Sequence, residues 1–263
     1  MTDGLAVSFS AALAQALTQP DLGWLGGAAA LAGLARGFSG FGSGLVFMPI
    51  AGMVLPPAQA VAVLVVMDLI GPLANVPGAL RIGSVREVGT LTVGMLAGLP
   101  VGLWALVAVA PEAFRWIISV LSLLTVAALV AGWQWRGGRG PRVTAGAGFV
   151  AGIVGGATAM PGPPVILYYM TSPMPVAQIR GNLTLFLVLL DVLLVLVLGA
   201  MGRLTLQLAM VSGLLLVPFS LANMAGSMLF RPDRVAVYRA LTWSMIAVSA
   251  LVGLPLWDEG MLR

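Results

Sequence analysis

Apolar stretches follow one another along almost the whole chain, parted by short polar or Pro/Gly-rich punctuation. They run over about 22–36, 44–55, 57–80, 87–110, 113–133, 143–157, 164–173, 176–201, 204–229 and 234–257. Six of them (57–80, 87–110, 113–133, 176–201, 204–229 and 234–257) are long enough as helices to cross about 30 Å of hydrocarbon at about 1.5 Å per residue. The other four are too short and form two pairs, 22–36 with 44–55 and 143–157 with 164–173. The members of each pair are joined by a loop that cannot continue a helix: Gly37 to Gly44 in the first, Ala159 to Pro164 in the second. Residues 4–17 are apolar but only about half a span long, and no basic residue precedes them as in a signal peptide. Residues 1–21 therefore read as an N-terminal interfacial segment.

The two halves of the chain match each other. With a shift of 119 residues Gly33 falls on Gly152, Gly37 on Gly156, Val46 on Val165, Pro56 on Pro175, Gln59 on Gln178, Gly83 on Gly202 and Gly94 on Gly213. Such a register marks an internal duplication with interrupted helices at corresponding places, the pattern of transporters whose sites lie between repeats. If each short pair is one broken span, the halves point the same way; if each is a re-entrant hairpin, they are inverted. With Arg136, Arg139 and Arg142 taken as cytoplasmic, the hairpin reading also puts Arg81, Arg86, Arg231, Arg234 and Arg239 inside. It leaves Asp3, Asp21, Asp258 and Glu259 at outer ends. The expected fold is an all-α polytopic membrane protein of two inverted-topology repeats, each a re-entrant helical hairpin plus three transmembrane helices. Repeat 1 covers 22–135 (hairpin 22–55, spans 57–80, 87–110 and 113–133), and repeat 2 covers 143–257 (hairpin 143–173, spans 176–201, 204–229 and 234–257).

Composition narrows the function. Hydrophobic residues make up 60% of the chain and charged residues 8%, against roughly 25% charged in a soluble domain, too few to clothe a water-facing surface. Cysteine and histidine are absent, which removes the thiolate nucleophile and the commonest base and metal ligands; no metal or cofactor is expected. Every basic residue is an arginine, so a P-loop lysine is missing and primary pumping by this chain is disfavoured. The net charge of +4 sits largely in inter-helix loops and does not point to nucleic acid. Gly37-Phe38-Ser39-Gly40 spells the G-x-S-G of an intramembrane serine protease, but neither histidine nor lysine is present to activate a serine. The chain reads as no enzyme.

The candidate binding residues gather at the two breaks. Irregular backbone at membrane depth must line protein or a water-filled cavity, and the helix starting after each break presents free N–H groups that favour an anion. Gly40, Gly42 and Gly162 permit close backbone approach, while Ser39, Ser43 and Thr158 offer hydroxyls. Gly33, Gly148 and Gly152 fit small-x-x-x-small helix packing instead. Arg36 lies about 20 Å along the first helix, where its charge needs compensation: a bound anion, or an ion pair with Asp68 or Asp191. These two aspartates, the acids inside spans, suit coupling to an ion gradient or hydrogen bonding to a neighbouring helix. Gln178, Arg180, Asn182 and Thr184 form a polar opening to an apolar span, with headgroup snorkelling the plainer reading of Arg180. Asn75 and Asn223 read as helix-to-helix hydrogen-bonding residues.

The glycine-rich segment AGLARGFSGFGSGLVFMPI, its echo AGIVGGATAMPGPPVILYYM and the stretch MPVAQIRGNLTLFLVLLD resemble the sulfite exporter TauE/SafE family of membrane permeases over roughly residues 22–257. The resemblance implies transport of a sulfur-containing anion such as sulfite or an organosulfonate, and carries the family's second-half polar segment onto Gln178, Arg180 and Asn182. A multi-pass protein of the bacterial inner membrane is expected, with a small anion, the lipid bilayer and, in a homodimer, a second copy of the chain as candidate partners. The leading expectation is a secondary carrier, with probable export weighed against import, that alternates access at a midplane site between the hairpin tips. An anion channel or facilitator and a non-transporting membrane subunit are the alternatives.

Overall fold

The computed structural model describes residues 12–73, 76–133, 140–170 and 172–256. Among them the chain is helical throughout, with no strand. Asp3, Asn75, Arg136, Arg139, Asp258 and Glu259 lie outside the described residues, as does the 4–11 part of the N-terminal segment; residues 12–17 are helical.

In chain order the helices are α1 Leu22–Ser39, α2 Ser43–Val54, α3 Pro57–Leu73, α4 Val76–Ile82, α5 Val85–Ala108, α6 Pro111–Val130, α7 Pro141–Thr158, α8 Gly162–Tyr169, α9 Val176–Ala200, α10 Leu206–Leu229 and α11 Val235–Gly253. Their starts follow from local chemistry. Pro111 and Pro141 open α6 and α7, where a missing N–H costs nothing. Ser84 accepts a hydrogen bond from the backbone N–H of Glu87 at 3.4 Å, and Thr205 from that of Leu208 at 3.3 Å, capping α5 and α10. Among the described residues five helices are long and apolar enough to cross a membrane: α5, α6, α9, α10 and α11 from Ala236. The protein is thus an all-helical, polytopic membrane protein.

The stretch 57–80 is described as α3 and α4, and residues 74 and 75 between them lie outside the described residues. The two breaks are shorter than the run of glycines and prolines suggests. Helix α1 continues through Gly37 and Phe38 to Ser39, so the first break is only residues 40–42. The second is only 159–161, with α8 starting at Gly162 because prolines 163 and 164 sit in its first turn, where no intrahelical N–H is needed.

Glycine sets which helices touch. A Cβ on Gly94, Gly98 or Gly102 of α5 would run into the backbone of α7 at Ala145, Phe149 or Ile153, and Gly148, Gly152 and Gly156 face α5 in the same way. On the other side, a Cβ on Gly37 of α1 would stand 2.5 Å from the carbonyl oxygen of Asn223 in α10, and Gly33 meets the carbonyl of Phe219. Backbones in such contact gain dispersion energy that bulkier side chains would forbid. The first helix of each broken pair therefore packs against a long helix of the other half of the chain. Helix α2 fits between α6 and α11, and α9 lies along α3, α4 and α5.

Candidate functional site

The two breaks have the same construction. Gly40 takes a left-handed conformation (φ 78°) and its N–H bonds the carbonyl of Arg36 at 2.7 Å. Ala159, 119 positions on, is also left-handed (φ 54°), with its N–H on the carbonyl of Gly155 at 2.7 Å. Ser39 Oγ donates to the Ala35 carbonyl at 2.8 Å and accepts from the Phe41 N–H at 3.3 Å. Thr158 Oγ1 donates to the Val154 carbonyl at 2.7 Å and accepts from the Met160 N–H at 3.3 Å. Each hydroxyl thus satisfies backbone groups that the turn would otherwise strand away from water. A second left-handed glycine, Gly42 (φ 91°), turns the chain into α2.

A polar triad stands on the first break. The Arg36 guanidinium forms an ion pair with Asp68 Oδ1, and the two side chains are 12% and 15% exposed. Ser43, the first residue of α2, ties them together: Arg36 Nη1 donates to its Oγ at 3.1 Å, and Oγ donates to Asp68 Oδ2 at 3.0 Å. The second half has no counterpart, since the residues equivalent to Arg36, Ser43 and Asp68 are Gly155, Gly162 and Leu187. A near-symmetric scaffold therefore carries one polar site rather than two.

Two cavities meet at this triad. A small one of about 40 Å³ lies between the breaks, lined by Arg36, Gly42, Ser43 and Asp68 from the first half and by Ala159 to Pro163 from the second. A wider cleft of about 370 Å³ adjoins it, lined by Arg36, Ser39, Gly40, Arg180, Thr184, Asn223 and Ser227 among others. Phe41 and Leu187 line both. Arg180 is exposed, and no acid or hydrogen-bond acceptor pairs with its guanidinium among the described residues. Arg180, Thr184, Leu187 and Asp191 fall on one stripe of α9, at i, i+4, i+7 and i+11. Asp191, the last of them, is buried, and its Oδ2 has no hydrogen-bond partner among the described residues.

The structure thus gathers Arg36, Ser39, Gly40, Gly42, Ser43, Asp68, Gly162 and Arg180 around the joined cavities, with Asp191 behind them. Three further candidates lie elsewhere. Thr158 is fully engaged in its turn. Asn182 is completely buried, accepting the Ser84 N–H at 2.6 Å on Oδ1 and donating from Nδ2 to the Tyr169 hydroxyl at 3.1 Å. Gln178 is half-buried one turn before it, on the same side of α9. Asn223, read from sequence as a helix-to-helix contact, stands where α1 meets α10 and also lines the wide cleft. Buried Arg115 donates to the carbonyls of Gly253 and Leu254 at 3.3 and 3.5 Å, capping the end of α11 away from the cavities. Among the described residues no cluster of three acids could hold a metal ion.

The family model of the sulfite exporter TauE/SafE matches residues 25–253, most of the chain. The chain belongs to the sulfite exporter TauE/SafE family. No curated protein and no solved structure matches it. As a TauE/SafE protein it is a multi-pass membrane protein of a transporter family, in agreement with the long apolar helices. The match spans both breaks and every residue of the polar triad, so the site described here is part of the TauE/SafE region.

Proposed function

We propose that the protein is a secondary transporter, in the bacterial inner membrane, for a small sulfur-containing anion such as sulfite or an organosulfonate. The observation that carries this reading is the meeting of Arg36 and Arg180 in one polar cleft beside a helix break. Arg36 is already balanced by Asp68, which leaves Arg180 as the unmatched positive charge facing the opening. A guanidinium presents paired N–H groups that fit two oxygens of a sulfite or sulfonate. Asn223 adds an amide on the same walls, while the Ser39 and Thr184 hydroxyls donate to backbone carbonyls, and the family assignment supplies the substrate class.

Inverted repeats with two re-entrant hairpins are the architecture we infer. The matching hydrogen bonds of the two breaks and the reciprocal glycine contacts, α1 on α10 and α7 on α5, support a two-fold relation between halves. Arginines 81, 86, 142, 231, 234 and 239 then share the cytoplasmic side. Arg180 in the first turns of α9 opens the wide cleft toward that side. Alternating access by rocking of the halves fits a site shared between them. The constriction favours a carrier over a channel: the cavity between the breaks is about 40 Å³, against about 370 Å³ in the adjoining cleft, and the Arg36–Asp68 pair lines it.

Counterflow in proteoliposomes tests the reading. Vesicles holding the full chain and loaded with sulfite, sulfoacetate, taurine or sulfate are offered a labelled organosulfonate. Saturable exchange is expected for at least one anion, with Arg180→Gln raising the half-saturating concentration. Absence of protein-dependent flux for every anion, from protein that elutes as a single folded species, removes the proposal.

A further inference from the structure

Asp191 has no task in anion binding as described so far. It is only 6% exposed, and its Oδ2 lacks any hydrogen-bond partner among the described residues. It stands one turn beyond Leu187, which lines both cavities, and its helix α9 packs along α3, the helix that carries Asp68. Other charged or titratable groups on neighbouring elements lie at the far end of α9. Arg81 of α4 and Arg86 and Glu87 of α5 are within three residues of Ser84, which bonds Asn182. Tyr168 and Tyr169 of α8 belong to the same group, and Arg142 of α7 is two residues from Thr144, which meets the Tyr168 hydroxyl at 2.8 Å. Asn182 is about 13 Å from Asp191 along the helix. The electrostatic neighbours of Asp191 are therefore Asp68 and Arg36.

Counting charge constrains the site. Arg180, exposed in the wide cleft, is solvated and stays outside the count; it receives the anion before Arg36 does. Behind it, one arginine against two ionised aspartates leaves the empty protein with one negative charge too many in a desolvated place. A monoanion passed on to Arg36 makes two. Buried charges persist where they are paired and are otherwise neutralised by protons. One proton on the two carboxyl groups balances the empty site, and two balance the loaded one.

We propose that Asp68 and Asp191 form a proton-holding pair, with one proton when Asp68 occupies Arg36 and a second taken up when a substrate anion replaces it, so that one proton crosses with each monoanion. This inference rests on the anion-transport reading and adds its coupling ion. Asp68 is the resident anion of Arg36: Ser43, bonded to both, holds the carboxylate in place while the site is empty. An arriving sulfonate takes over the guanidinium. An O–H bond then forms on the released aspartate oxygen as one O–H bond of a hydronium ion in the wide cleft breaks, leaving water. The empty carrier keeps its charge balance through Asp68, so it can return without cargo and net transport is possible.

The test uses the full chain in vesicles that contain the pH dye pyranine, with equal pH on both sides and the membrane potential clamped by potassium and valinomycin. Labelled methanesulfonate, the anion of a strong acid, is added outside; it carries no proton itself, so any proton that moves belongs to the protein. Uptake is expected to acidify the lumen by one proton per anion. The double variant Asp68→Asn/Asp191→Asn, which keeps no carboxyl group at the site, is expected to abolish this ratio, and Asp68→Glu/Asp191→Glu to keep it. Methanesulfonate uptake by the unmodified protein without acidification overturns the inference and leaves anion transport standing. An unaltered ratio in Asp68→Asn/Asp191→Asn overturns the proton-holding role of the two carboxyl groups. No protein-dependent uptake of methanesulfonate, isethionate or sulfoacetate removes the sulfonate-transport reading and this inference with it.

Discussion

The guanidinium of Arg180 lies against the backbone of Gly40: a methyl group on the Gly40 Cα would meet Nη2 at 3.3 Å. The contact joins the first break, in one half of the chain, to the opening turns of α9 in the other. It fixes where the unmatched positive charge of the wide cleft stands.

Gly40→Ala is therefore expected to act on both stability and affinity. Its left-handed backbone costs about 1–2 kcal/mol for a residue with a Cβ, and the methyl group pushes Arg180 aside. The fold should survive, because Ala159 already holds the equivalent left-handed position in the second break. Thermal unfolding in detergent should fall by a few degrees while the dissociation constant for the transported anion rises. Unchanged affinity would detach Arg180 from the site.

Arg36 and Asp68 should show strong energetic coupling. Removing one member of a buried ion pair strands the other, typically at a cost of about 3–5 kcal/mol. Arg36→Gln and Asp68→Asn are each expected to destabilise strongly, and the double variant to regain much of the loss. A double-mutant cycle from denaturant unfolding in mixed micelles measures this. Additive losses would mean that the pair contributes nothing as a pair.

Gly94 and Gly213 are repeat mates with opposite expected responses to alanine. A Cβ at Gly94 enters the carbonyl of Ala145, whereas nothing lies within 4 Å of one at Gly213. Gly94→Ala should force α5 and α7 apart and lower the unfolding temperature. Gly213→Ala should be neutral or stabilising by about 0.5–1 kcal/mol, the helical preference of alanine over glycine. Equal melting shifts in the two variants would contradict the packing.

Asn182→Ala leaves the Ser84 N–H and the Tyr169 hydroxyl without their partner, an expected loss of about 1–3 kcal/mol. Affinity for the anion should be retained once the protein is folded, because the amide faces away from both cavities. A weakened dissociation constant with unchanged unfolding temperature would reverse that assignment.

The grouping of Gln178, Arg180 and Asn182 shows where linear reading stops. Residues two apart on a helix are about 200° apart around its axis, so Arg180 and Asn182 turn to opposite sides. Arg180 shares its stripe with Thr184 and Asp191, while Asn182 shares the other with Gln178. Periodicity separates these two sets, but only the neighbours of α9 tell which one meets the cavity.

By itself the sequence determined that this is a membrane protein, that it is duplicated, and that two helices break near glycines and prolines. Those properties are local: apolar side chains partition into lipid wherever they occur, and glycine and proline act on their own backbone. Tertiary structure decided that Arg36 pairs with Asp68 through Ser43, that Arg180 reaches Gly40 from the other half of the chain, and that Asp191 Oδ2 is buried without a hydrogen-bond partner among the described residues. Charge balance in a low-dielectric interior depends on distances between side chains brought together from separate helices, and no local pattern records those distances.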